Sequence, residues 1–432
     1  MKKRFIFILC GLFLCAGTIA ATDYNALQQG AVGDGRTLNT KSLQSAIDAL
    51  HEKGGGQLYF PAGRYWTGSL QLKSNVTLYL EKEAVLLGST SPYDYPGFST
   101  EKELKVNNDH FDQALIYVEG AENIDITGEG CIDGQGRELA LTIDSLHHTG
   151  ELVDKHYNTY RKRPNTRPKL LFMRNCRKVE LRKTNFRSGA AWGLSFSLCA
   201  DLTIDSLHVE NRAYWNNDGI DISDCKEVRI SNCFINSADD GICLKSHNRG
   251  AWNDRVSISN CHIISSASAI KFGTESLGGF KNVTIDNIRI KDTFRSAIAI
   301  ESVDGAEIEN VKLENIEIVC PGRATRGMAY MSVSRLKDVP ENEKGYPEFT
   351  MFEELPSWGF YVRHVKGIQM HNVKLRLQED DFRPAFVFDR VSNVRLSGIS
   401  LPENKKAGQV VLRQTSLQSA DNAVKEYITE VE

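Results

Sequence analysis

The feature that most limits what this chain can fold into is a recurring apolar-x-apolar segment with a turn residue in front of it. Val179 in Lys178-Val179-Glu180-Leu181 is followed by Leu202, Val228, Val256, Val283 and Ile308, at successive gaps of 23, 26, 28, 27 and 25 residues. Weaker copies occur at Val76, Ile124, Ile368 and Val394. Each unit holds two or three alternating strand patterns broken by Asn, Asp, Gly or Ser, and none holds a helix-length period. A unit this short cannot bury its own apolar residues, whereas stacked units can. The repeat therefore predicts an all-β chain, wound as a single-stranded right-handed parallel β-helix around a ladder of Val, Ile and Leu. A propeller is the all-strand competitor, but its period is nearer to about forty residues.

An open solenoid end must be covered. Leu43, Ala46, Ile47 and Leu50 recur at helical spacing behind Asn39 or Thr40, either of which can cap, and Lys53-Gly54-Gly55-Gly56 stops the pattern. This is the expected N-terminal capping helix. Gln57 to Tyr65 reads as two short strands across a Pro61-Gly63 turn. Two stretches interrupt the rhythm, Gln135 to Arg167 and Cys320 to Tyr361, and are expected as loops on one face, where binding residues concentrate. The tail after Gln414 reads as loop and then a terminal helix.

Met1-Lys2-Lys3-Arg4 precedes an apolar run from Phe5 to about Ala16 and a small-x-small pattern at Thr18-Ile19-Ala20. This is the pattern of a secretory signal peptide over 1–20, not of a membrane helix. Residues 21–432 then form one exported domain, periplasmic or extracellular, with no membrane insertion after cleavage and monomeric. Neither Cys10 nor Cys15 follows the small residue that a lipid anchor would need. Loss of the leader's Lys2, Lys3 and Arg4 takes the side-chain balance from −3 to −6, and no basic patch stands out, so nucleic acid is excluded as a partner. Eight cysteines remain, Cys131, Cys176, Cys199, Cys225, Cys233, Cys243, Cys261 and Cys320, with no C-x-x-C pair to bind zinc. Repeated contexts such as Ser231-Asn232-Cys233 and Ser259-Asn260-Cys261 favour stacked interior thiols over disulfides.

The chemistry concentrates between Asn217 and Gly241. Asp218, Asp221, Asp239 and Asp240 lie on two short glycine-marked turns, with Asp218 and Asp239 21 residues apart. In a β-helix that spacing makes the two stacked neighbours, roughly 4.7–4.9 Å apart. Carboxylates so close raise one another's pKa and supply a proton donor and a base together, as glycosidic cleavage requires. Asp239 and Asp240 both face outward only if the backbone turns there. The same residues also read as plain Asx turns, or as oxygen ligands for calcium.

Asn217-Asp218-Gly219-x-Asp221 followed by Asp239-Asp240-Gly241 resembles the Asn-x-Asp-Gly and Asp-Asp motifs of the polygalacturonase family, glycoside hydrolase family 28. The resemblance extends to the Gly33-Asp34-Gly35 opening with its capping helix and to the Phe60-Pro61-Ala62-Gly63 turn, so it spans most of the mature chain. It implies a right-handed β-helix, a polysaccharide or oligosaccharide substrate, and hydrolysis with inversion that needs no metal and no cofactor. Asp239 corresponds to the general acid, with Asp218 and Asp240 holding and activating water. Carboxylates stacked this closely would, by separation alone, point to retention instead.

Two family motifs are absent. Where members carry Gly-His-Gly, this chain has Ala267-Ser268-Ala269; where they carry the Arg-Ile-Lys that holds a substrate carboxylate, it has Ser296 to Glu301. Lys271, Arg295 and Glu301 fall near those coils and are candidates for a different sugar subsite, together with Asn217, Asp221, His247 and Arg249. Tyr214, Trp215 and Trp252 are candidates for stacking on a sugar or for packing between coils, and Tyr346 and Trp358 for walling a cleft. Two further functions fit the same solenoid: a calcium-dependent polysaccharide lyase and a non-catalytic carbohydrate-binding β-helix.

Overall fold

A computed structural model describes residues 22–97, 113–151, 167–302, 304–324, 333–339, 341, 355–402 and 408–432. The expected signal peptide, Tyr346 and parts of both insertions lie outside these residues. Among the described residues the chain winds into a parallel β-helix. Twelve parallel strands stack into one sheet, and the remaining strands form a second sheet of twenty that bends around the other faces. The winding is right-handed, as it is for crossovers between twisted parallel strands.

The repeat is the register of this stack. Ile124 pairs with Val179, then Val179 with Leu202, Leu202 with Val228, Val228 with Val256 and Val256 with Val283. The ladder continues through Val311, Ile368 and Val394. The sequence reading put Ile308 in that row, but Ile308 pairs with Phe280, one residue triplet earlier. Both positions follow the same apolar-x-apolar rule, so spacing alone did not separate them. All rows of this ladder are buried, and each fully buried Val, Ile or Leu contributes roughly 1.5–3 kcal/mol.

Helix α1 (Thr40–Glu52) covers the N-terminal end and buries Leu43, Ala46, Ile47 and Leu50, as its spacing requires. Asn39 precedes it, but its side chain holds the incoming chain instead of capping the helix: the amide donates to the carbonyls of Val32, Thr37 and Trp66. The tail departs from the expected loop and helix. It forms two strands, Leu417–Ala420 and Ile428–Val431, around a four-residue helix at Asn422–Lys425. All eight cysteines from Cys131 to Cys320 are free thiols. Cys176, Cys199 and Cys225 follow one another on successive coils, with the Cys199 N–H donating to Cys225 Sγ at 3.3 Å.

The first insertion is not only loop. It opens with helix α2 (Gly136–Thr149), whose start lies against the Ser188–Gly189 turn: the Gly136 N–H donates to the Ser188 carbonyl at 2.7 Å. In the second insertion, Leu336, Val339 and Leu355 pack on Ala299, Tyr361, Val387 and Val411. Those four residues form one row on the outer face of the twelve-stranded sheet. The second insertion thus covers part of that outer face, while α2 lies against the Ser188–Gly189 corner.

Candidate active site

The aspartates stand at the corner where each coil enters the twelve-stranded sheet, just before the strands Ile220–Ser223 and Ile242–Ser246. The Gly193 N–H donates to the Asp218 carbonyl, the Gly219 N–H to the Asp240 carbonyl and the Gly241 N–H to the Ser268 carbonyl, each at 2.9 Å. Asp218 is therefore stacked on Asp240, and Ser268 follows on the next coil. This corrects the expected pairing of Asp218 with Asp239, which sits one residue earlier, where its N–H donates to the Asn217 carbonyl at 3.3 Å. Asp239 and Asp240 lie in a bend, outside the alternation of a strand, so both reach the same side.

The corner glycines are required by space. A Cβ on Gly219 would stand 2.4 Å from the Gly241 carbonyl oxygen, and one on Gly241 2.5 Å from that of Ala269. Without side chains there, successive turns close tightly enough to bring their carboxylates together.

The two adjacent aspartates differ in electrostatics. Burial, with Asp218 and Asp240 beside it, pushes the Asp239 carboxyl up to about 7, against the pull of Arg295 and Lys271. Burial also acts on Asp240, but Lys271, Arg295, Lys245 and the Ser268 N–H outweigh it and hold this carboxyl below the ordinary range. Lys271 Nζ is 3.3 Å from Asp240 Oδ2, and the Ser268 N–H donates to Oδ1 at 3.2 Å. Burial, with Asp221 and Asp240 beside it, pushes the Asp218 carboxyl well above the ordinary range, against the pull of Lys245. One proton-carrying and one ionised carboxyl side by side is an acid and a base.

The remaining candidates divide. Lys271 lies on the coil after that of Asp240, and Arg295 and Glu301 on the next one; Lys271 and Arg295 act directly on Asp239 and Asp240. Glu301 is buried, neither of its oxygens has a hydrogen-bond partner among the described residues, and burial pushes its carboxyl up to about 7. Arg249 is exposed on the loop after the Asp239-Asp240 strand. Three assignments to substrate contact are corrected. Asn217 is fully buried and spends its amide on the carbonyls of Gly189 and Ala191, so it shapes the turn. Asp221 is fully buried and accepts from Lys245 at 2.6 Å. His247 pairs with Glu275 at 2.7 Å, both side chains nearly buried, while its N–H caps Asp224.

Of the aromatics, Trp358 lies in the hydrophobic core and walls nothing. Trp252 packs under Lys281, 4.8 Å from its ring. Tyr214 Oη donates to Asp144 Oδ2 of α2 at 2.5 Å, and Trp215 leaves its ring exposed beside the Asp218 turn. Two residues the sequence reading missed are Lys245 and Trp192. Lys245 Nζ donates to Asp218 Oδ2 at 3.0 Å and stands 3.6 Å from the Trp192 ring. Strand alternation carries the signal for it, because Lys245 shares the outward face with Cys243, two residues before it.

Residues 58–320 match the family model for Glycosyl hydrolases family 28. The chain belongs to this family. A probable polygalacturonase of Vitis vinifera is 30% identical over 65% of this chain and 55% of its own. An exo-poly-alpha-D-galacturonosidase of Dickeya chrysanthemi is 28% identical over 50% of this chain and 41% of its own. The chain thus spans about half the length of these curated relatives. A family 28 exopolygalacturonase structure from Yersinia enterocolitica superposes with a TM-score of 0.68 at 22% identity, over 95% of this chain and 77% of that one. It shares the parallel β-helix with this family 28 member.

Proposed function

We propose that the chain is an exported hydrolase that cuts glycosidic bonds in pectin-type polysaccharide or its oligosaccharides, with inversion at the anomeric carbon. Asp239 protonates the leaving oxygen, while Asp240 and Asp218 hold and activate the water. The observation that carries this reading is the split between neighbours: Asp239 is pushed up to about 7 and Asp240 held below the ordinary range by Lys271 and Arg295. The pectic substrate class rests on the relatives, named as a probable polygalacturonase and an exo-poly-alpha-D-galacturonosidase. Export rests on the Met1 to Ala20 pattern, with cleavage near Ala20. No step of this chemistry calls for a metal or cofactor.

The test is to incubate the purified protein with defined pectic oligosaccharides, identify products by mass and follow the new anomer by proton NMR. Saturated products of opposite anomeric configuration to the substrate are expected, and a chelator should leave the rate unchanged. Products absorbing in the ultraviolet, together with loss of activity on chelation, would instead establish a lyase. Binding without cleavage across the panel would establish a carbohydrate-binding module.

A further inference from the structure

The hydrolase reading uses three carboxyls but leaves open how one proton is divided among them. Asp218 and Asp240 stack on neighbouring corners, both buried, and Asp239 adjoins them. Left to themselves, buried like charges at this distance retain protons, and a protonated Asp218 does not hold a water as a base.

Lys245 stands at the centre of this group. It leaves the Ile242–Ser246 strand on the outward face, beside Ser223, and is itself buried. Its Nζ donates to Asp221 Oδ1 at 2.6 Å and to Asp218 Oδ2 at 3.0 Å. The ring of Trp192 lies 3.6 Å from the same ammonium, and a second ammonium, Lys169, lies 4.8 Å from that ring. Asp221 is fully buried, so it serves as an anchor for Lys245 and has no access to a ligand. The charged and titratable groups acting here are Asp218 and Asp221 on the preceding coil, Asp240 and Cys243 on its own, Lys271 on the next and Lys169 behind Trp192. The contacts to Asp218 and Asp221 are charge-assisted and sit where water is excluded, so the ammonium acts on them at close to full strength.

We propose that Lys245, fixed by Asp221 and Trp192, is a positioning residue that orients Asp218 and opposes the retention of a proton on it. Lys245 acts through Asp218. This rests on the acid and base roles proposed above.

Lys245→Met keeps the length of the side chain and removes its charge. In a folded variant the acidic limb of the kcat/KM profile should move upward by about one pH unit or more, kcat should fall and KM should change little. Lys245→Arg should restore part of the limb position. Asp221→Asn keeps a side-chain oxygen to hold Lys245, removes the like charge beside Asp218, and should move the same limb downward. The carboxyl carbon-13 shift of Asp218, titrated without substrate, should follow the same order in all three proteins, and reads the proton even if no glycan is cleaved. A Lys245→Met protein with the wild-type limb and the wild-type Asp218 titration overturns the proposal. So does an Asp221→Asn limb that moves upward, which would make both residues mere structural ballast. If the carbon-13 order holds but no oligosaccharide is hydrolysed, the hydrolase reading falls and the proton-dividing role of Lys245 stands.

Discussion

At the scale of single residues, Asp239 and Asp240 show how neighbours with one chemistry acquire opposite roles. Asp239 is raised by burial and by two carboxylates; Asp240 is buried too, but three cations and a backbone N–H more than offset that. An acid must be protonated to act, so kcat/KM should hold below the Asp239 value of about 7 and fall as pH rises through it. A base must be ionised, so the Asp240 contribution is lost only as pH drops below the ordinary carboxylate range. Asp239→Asn should lower kcat by about 10²–10⁴-fold and abolish the basic limb. Oligosaccharide affinity, measured by calorimetry, should survive. A variant with near-parental kcat would remove Asp239 from the acid role. The three aspartates were legible as a cluster because Asn, Asp and Gly recur at coil spacing. Lys245 carries no motif: alternation puts it on the outward face, but its meaning comes only from Asp218 and Asp221 on the previous coil.

At the scale of elements, the corner turns decide the geometry, and here the sequence misled by one residue. The 21-residue interval pointed to Asp218 over Asp239, whereas the glycine row puts Gly219 on Gly241 and so Asp218 on Asp240. Aligning the glycines and not the aspartates would have found it. Gly241→Ala would drive a Cβ to 2.5 Å from both the Ala269 carbonyl oxygen and Ile263 Cγ2. Overpacking of this kind costs about 1–3 kcal/mol, so thermal unfolding should show a lower Tm, and kcat should fall because Asp240 is the residue before. On the outer edge of the same turns, Trp215 and Phe294 keep exposed rings, 64% and 55% accessible. Phe294 belongs to the turn leading to Ser296, three coils beyond that of Asp218, with the Asp239 turn between them. We propose Trp215 and Phe294 as platforms for sugar rings. Trp215→Ala should raise KM about two- to tenfold, the factor that matches ~0.5–1.5 kcal/mol for an aromatic contact, with kcat little changed. A parental KM would assign Trp215 to the surface alone.

At the scale of the whole molecule, a solenoid is legible where each coil repeats and illegible where the chain leaves the repeat. Val179 to Val283 predicted the ladder because every coil meets the same neighbour above and below. Helix α2 had no such partner in the sequence; its fit depends on Asp144 reaching Tyr214, a contact 70 residues away in the chain. The ends follow different physics from the middle, since an end coil exposes its ladder unless something covers it. Helix α1 does this with Leu43, Ala46, Ile47 and Leu50, all at most 2% exposed. Ile47→Asp would bury a carboxylate with no partner in that apolar contact, at a cost of several kcal/mol. The active corner lies several coils away, so the residual folded protein should keep its kcat. The uncovered end would present unpaired strands and apolar side chains to a second molecule. The expected result is therefore a lower Tm with concentration-dependent association by size-exclusion chromatography and light scattering, at unchanged kcat per folded molecule. A monomer with the parental Tm would mean that α1 is packed on the solenoid without stabilising its end.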